Sequence, residues 1–173
     1  MASRQERKQW SGPRGDGPGW ICDTCGQRIK NAGEGWLEWL SRSDEGRRKI
    51  IARELHLVHH AMYSPFAKTE QDCYFNEEQE VAKDGSTSSG SHLENFLDDD
   101  GLTELLAILG DGFELQDKLL EVIMRLHIRN YEEARPNLER ARSEGIIEPN
   151  MREGFHLQQE LKTVIEHYQT EHE

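Results

Sequence analysis

Apolar residues in this chain follow two different periods, and the change between them divides the sequence. Over residues 20–73 they come in short runs that alternate with polar positions, as strands do. The run "GWLEWL", residues 35–40, sets two tryptophans at β-favouring positions, with Trp36 and Leu40 sharing a face across Glu38. In "ARELHLVHH", residues 52–60, Leu55, Leu57 and His59 fall on one side and His56, Val58 and His60 on the other. The polar stretch "SRSDEGRRKI" between them contains Gly46 and predicts a hairpin loop joining two antiparallel strands.

Beyond residue 93 the period lengthens to that of a helix. Leu102, Leu105, Leu106 and Leu109 form one stripe, capped by Asp98, Asp99 and Asp100 and stopped by Gly110 and Gly112. Leu115, Leu119, Val122, Ile123 and Leu126 form a second, with His127 near its end. A third helix is expected from an Asn130 cap, with Tyr131, Ala134, Leu138 and Ala141 inward and Gly145 closing it. Pro136 makes it start late or bend. The last, near 157–168, carries Leu157, Leu161, Val164, Ile165 and Tyr168. Together these predict a bundle of about four helices.

Two segments have neither period. Residues 1–19 are basic and then rich in Gly and Pro, which predicts a flexible arm whose Arg4, Arg7, Lys8, Trp10 and Arg14 could touch nucleic acid. Residues 81–92 close a charged, then Gly/Ser-rich stretch and read as a linker or mobile loop. The expected organisation is therefore an arm (1–19), a β module (20–80), the linker (81–92) and an acidic helical domain (93–173).

Charge sharpens that division. Residues 1–60 hold 11 Lys and Arg against 8 Asp and Glu, whereas residues 61–173 hold 10 against 25, within a formal net charge of −12. So acidic a second part repels phosphate backbones and anionic lipid heads, which argues against non-specific nucleic-acid or membrane binding there. No run of about 18 apolar residues occurs, and the first 19 residues lack the apolar core of a secretory signal, so a soluble, cytoplasmic protein is expected.

The candidate chemistry is carried by cysteine and histidine. Cys22-Asp-Thr-Cys25-Gly26 has the form of a zinc knuckle, in which two thiolates chelate one ion and the glycine lets the backbone turn beneath the sulfurs. A tetrahedral ion needs two further ligands, and the soft donors downstream are His56, His59, His60 and Cys73. The expected set is Cys22, Cys25, Cys73 and one histidine of His59 and His60, with His59 preferred because it shares a face with Leu55 and Leu57. The competing readings are a redox pair, which wants its first thiol at a helix N-terminus, and unligated cysteines of which Cys73 is simply buried. No phosphate loop or nucleophile motif is present, and Glu94 with Asp98 to Asp100 is explained by helix capping.

"CDTCG" followed by a strand ending in "LHLVHH" resembles treble-clef and zinc-ribbon domains, and more narrowly zinc-containing HNH endonucleases, over residues 20 to about 80. The resemblance implies a catalytic metal at His59, an activating role for His60 and a middle Asn at Asn76. It also implies a second Cys-x-x-Cys and a closing histidine, and the chain has one cysteine and no histidine between His60 and His92. "LERARSEGIIE" after "LLEVIMRLHI" is similar to winged helix-turn-helix domains, but Arg135, Arg140 and Arg142 alternate with Glu132, Glu133, Glu139 and Glu144 on the candidate recognition helix.

These readings converge on an α+β protein: a small zinc-stabilised β module, treble-clef or zinc-ribbon-like, followed by the helical bundle. The expected cofactor is zinc and no catalytic residue is assigned. The expected role is non-enzymatic, a protein-interaction or regulatory module with a protein partner. A metal-dependent nuclease and a winged-helix DNA-binding regulator are the alternatives.

Overall fold

The computed structural model describes residues 19–44, 49–66, 72–110, 116–149 and 154–169. The expected arm at 1–18 and the tip of the hairpin loop lie outside the described residues. The chain is α+β, with a β-rich N-terminal part and helices after it.

Two short strands, β1 (Trp20–Ile21) and β2 (Arg28–Ile29), pair antiparallel and hold the knuckle between them. Gly19, at φ 72°, leads into β1 with its Cα against the Ile29 carbonyl, where an added Cβ would lie 2.1 Å from the oxygen. The long hairpin follows as β3 (Gly35–Asp44) and β4 (Lys49–His59). Their register pairs Leu37 with Leu57 and Trp39 with Leu55, so the alternation in the sequence puts these four side chains on one face. The register shifts between Trp39 and Leu40, opposite Glu54, whose φ of 50° marks the extra residue of a bulge.

The segment expected as a linker is ordered. α1 (Glu77–Asp84) is capped by Asn76 Oδ1, which accepts from the Gln79 amide at 3.1 Å, and Gly85 ends it in the left-handed region. β5 (Thr87–His92) then joins the other side of β3, giving the order β4-β3-β5, all antiparallel. Composition misled here because a strand of Thr, Ser and Gly is held by its partner's ladder rather than by its own propensity.

Helix α2 (Asp98–Gly110) and helix α3 (Gln116–His127) cover the Leu37/Leu57 face. Leu93, Phe96, Leu105, Leu119, Val122 and Leu126 pack there with Leu37, Leu55 and Leu57 in one core. A second core joins Tyr131, Ala134, Leu138, Ala141 and Ile147 to Leu161, Val164 and Tyr168. It is built from α4 (Tyr131–Ala134), α5 (Leu138–Ser143) and α6 (Gln158–Gln169). Between α4 and α5 a 3₁₀ turn, Arg135–Asn137, carries Pro136, so the helix is broken where proline forbids an α-helical hydrogen bond.

Two local expectations are corrected. Asn130 sits at φ 67° with no capping bond, and its side chain donates instead to Gln158 Oε1 at 3.2 Å. Leu157 lies before α6 rather than within its apolar stripe and is 54% exposed.

Candidate metal centre

Four ligand atoms converge beneath the hairpin. The Sγ atoms of Cys22, Cys25 and Cys73 and one ring nitrogen of His59 all lie within 4.8 Å of one another. Each arrives from a different local device. Cys22 and Cys25 flank a turn in which the Cys22 amide donates to the Gln27 carbonyl and the Gly26 amide to the Cys22 carbonyl, both at 2.9 Å. Gly26 takes φ 69°, the left-handed conformation the knuckle needs. His59 is the last residue of β4, and Cys73 lies on the loop before α1, where Thr24 Oγ1 donates to its carbonyl at 2.7 Å. Ser64, itself buried, places its Oγ 3.3 Å from Cys73 Sγ.

The histidine is oriented for ligation. Its Nε2 lies 3.2 Å from the Arg28 carbonyl, which can only accept, so Nε2 carries the proton. That leaves the Nδ1 lone pair pointing at sulfur, 3.5 Å from Cys25 Sγ and 3.9 Å from Cys73 Sγ. A tetrahedral ion with metal–sulfur bonds of about 2.3 Å and metal–nitrogen bonds of about 2.0 Å has nitrogen–sulfur edges of about 3.5 Å. The observed spacing fits such an ion, is consistent with zinc, and does not by itself distinguish it from other soft divalent metals.

Electrostatics point the same way. Cys22, His59 and Cys73 are buried and Cys25 is half-buried. Burial pushes the Cys73 thiol up to about 12, opposed by its Ser64 contact and reinforced by the neighbouring cysteines, and burial also raises Cys25. Burial thus keeps these thiols protonated on their own, and three of them could ionise this close together only around a cation.

His60 is not in this group. It follows the strand end, and its ring stacks on His92 at 4.9 Å and meets the Trp36 indole edge-on at 5.5 Å. Asn76, the residue the nuclease resemblance singles out, caps α1. His56 stacks on Phe75 at 4.4 Å.

Several residues that matter here carry no motif. Asp23, between the two cysteines, accepts the Leu57 amide on Oδ2 at 2.8 Å while its own amide donates to the Leu57 carbonyl at 2.9 Å, closing the outer edge of β4. Its carboxylate also receives Arg125 Nη1, at 2.7 and 2.9 Å. Arg125 is 2% exposed and gives its other protons to the Ile21 carbonyl and to Glu132, which in turn accepts the Ile21 amide at 2.7 Å. Burial opposes the charge on this guanidinium, but Asp23 and Glu132 hold it above its ordinary range. Its only trace in the sequence is an arginine three residues after Val122 and next to Leu126, inside the apolar stripe of α3. Beside it a cavity of about 250 Å³ is lined by His56 and by Asp23, Lys118, Glu121, Arg125 and Arg135, the last five pairing their charges with one another.

Glu38 is the other unforeseen group. It is fully buried in the central strand, with Oε1 accepting the Phe75 amide at 3.0 Å and no partner for Oε2 among the described residues. Burial is the main reason its carboxyl is pushed up to about 7.

No protein-family model matches the chain, and neither a curated protein nor a solved structure matches it. The likeness to treble-clef, zinc-ribbon and nuclease domains therefore rests on local residues alone. No helix among the described residues is long and apolar enough to cross a membrane.

Proposed function

We propose that this chain is a non-enzymatic, zinc-stabilised protein-interaction module. The observation that carries the reading is a closed set of four protein donors, Cys22, Cys25, His59 and Cys73, largely shielded from water. A catalytic zinc keeps one position for water or substrate, whereas four protein ligands fill a tetrahedron and leave the ion a folding role. Three strands and a two-stranded knuckle gain several kcal/mol from such a cross-link, on the scale of structural zinc sites.

The alternatives lose their residues to other work. For the nuclease, His60 and Asn76 are engaged in ring packing and capping. For the winged helix, Arg135 pairs with Glu132 and Glu121, Arg140 with Glu144, and Arg142 with Glu139, so the face that would meet DNA is neutralised.

The test is metal analysis of the purified chain by mass spectrometry, with single variants. One zinc per chain is expected, lost or greatly weakened in Cys22→Ser, Cys73→Ser and His59→Ala and retained in His60→Ala. A wild-type chain that holds no metal and takes up none on titration overturns the reading, as does metal-dependent DNA cleavage lost on His60→Ala.

A further inference from the structure

The three-stranded sheet has two edges, and they are treated differently. On β4, the Leu57 amide and carbonyl point outward and are both closed by Asp23. This fixes the phase of the ladder. Because Leu57 faces away from β3, its cross-strand neighbour Leu37 directs its amide and carbonyl toward β5, where Ser91 is its partner. Ser91 and Ser89 therefore face inward, Ser88 and Gly90 present their amides and carbonyls outward, and His92 presents its amide, its carbonyl being taken by the 3₁₀ turn Leu93–Phe96 that it caps. Among the described residues, no further strand pairs with that outer edge.

The usual guards of an edge are missing as well. β5 has no lysine, no proline, no charged residue and no bulge over its six residues. Gly90 cannot be exchanged for a guard, because a Cβ there would lie 2.3 Å from Trp36 Nε1 and 2.7 Å from the Leu37 carbonyl. At the His92 end the edge runs into an aromatic cluster of His60, Trp36 and Tyr63, next to Met62, which is 76% exposed. The flanking segments, 77–86 and 93–100, hold eight carboxylates against one lysine, and with Glu80 paired to Lys83 and Asp84 to Arg42 they remain strongly acidic.

We infer that β5 is a docking strand that takes an extended, basic segment of a partner protein by strand addition. Three outward amides and two outward carbonyls match one face of a six-residue strand, which spans about 20 Å. The uncharged edge removes the desolvation cost that buried charges impose, while the acidic flanks select lysine and arginine in the incoming chain. The inference deepens the interaction role proposed above and names its surface.

The test uses a fluorescein-labelled seven-residue peptide of alternating lysine and valine, titrated by anisotropy in about 0.15 M salt, where long-range attraction is screened. Two controls isolate the main-chain contribution. One is the same peptide N-methylated at alternate amides on its pairing edge. The other is His92→Pro against His92→Ala: the backbone at His92, φ −56° and ψ 137°, suits proline, so the substitution removes one outward amide without strain. Saturable binding is expected, weakened about tenfold or more by N-methylation and by His92→Pro and changed less than about twofold by His92→Ala. Equal binding of the methylated peptide, or no saturable binding below about 1 mM, overturns the inference. So does sedimentation as a dimer dispersed by His92→Pro, which gives the edge to a second copy. Metal content measured on the same samples separates the two claims: a chain that holds zinc and ignores the peptide loses the docking strand and keeps the metal centre. The peptide comparison on the wild-type chain decides the matter even if His92→Pro does not fold.

Discussion

His59 and His60 are adjacent, yet one faces sulfur and the other faces aromatic rings, because β4 ends between them and successive residues of a strand point oppositely. At this scale the centre has a sharp signature. Cobalt titrated into the metal-free chain should give the intense thiolate-to-metal absorption of a tetrahedral site in the wild type and in His60→Ala, and bind more weakly with altered d–d bands in His59→Ala. Glu38 carries a second prediction. Its folded carboxyl titrates near 7, above the ordinary carboxylate range, so between those values the folded chain holds a proton that the unfolded chain releases. Stability from this group is thus present at low pH and falls as pH rises toward about 7. Glu38→Gln keeps an acceptor for the Phe75 amide and removes the charge. It should raise stability by about 1–3 kcal/mol at pH 8 and by much less at pH 5, measured by urea denaturation at both. Neither Glu38 nor Asp23 could be picked out in the sequence, since a carboxylate in a strand or turn is ordinarily solvated, and only the ladder and the fold bury these two.

At the scale of elements, what could be read was whatever depends on a residue's own neighbours. The hairpin of β3 and β4, the shared face of Leu55, Leu57 and His59, the break at Pro136 and the apolar stripe of α3 all follow from local period and chemistry. β5 could not be read, because its stability comes from β3 across the ladder and from Trp36 lying on Gly90. The same holds for the 3₁₀ turn Leu93–Phe96 and its junction with α2, where Gly101 is buried against the Phe96 backbone. A Cβ at Gly101 would sit 2.1 Å from the Phe96 carbonyl carbon, so backbone rather than a side-chain tip would have to move. Gly101→Ala should therefore lower stability by about 1–3 kcal/mol, even though alanine favours helix. Thermal melts of this variant beside Gly110→Ala, which meets nothing within 4 Å, separate the steric effect from propensity.

Three parts of the described molecule meet at one guanidinium. Arg125 on α3 reaches Asp23 in the knuckle and Glu132 on α4, so the β-rich part, the first core and the start of the second meet at a buried ion cluster. Removing one partner leaves the others charged and desolvated. Arg125→Ala should cost about 3–5 kcal/mol, and Arg125→Met paired with Asp23→Asn and Glu132→Gln should recover part of it, both measured by denaturant unfolding. Chelation is expected to reach across the same cluster, shifting the unfolding midpoint of the helices, read by far-ultraviolet circular dichroism, as well as that of the sheet. The contact between Asp23 and Arg125 also spans 102 residues of chain. All four metal donors, by contrast, lie within the first 73 residues, well before α3 in the chain. During synthesis an ion can therefore be captured before α3 has left the ribosome, and the clasp on Asp23 closes later onto a knuckle already set, so that a contact far apart in the chain has little left to organise.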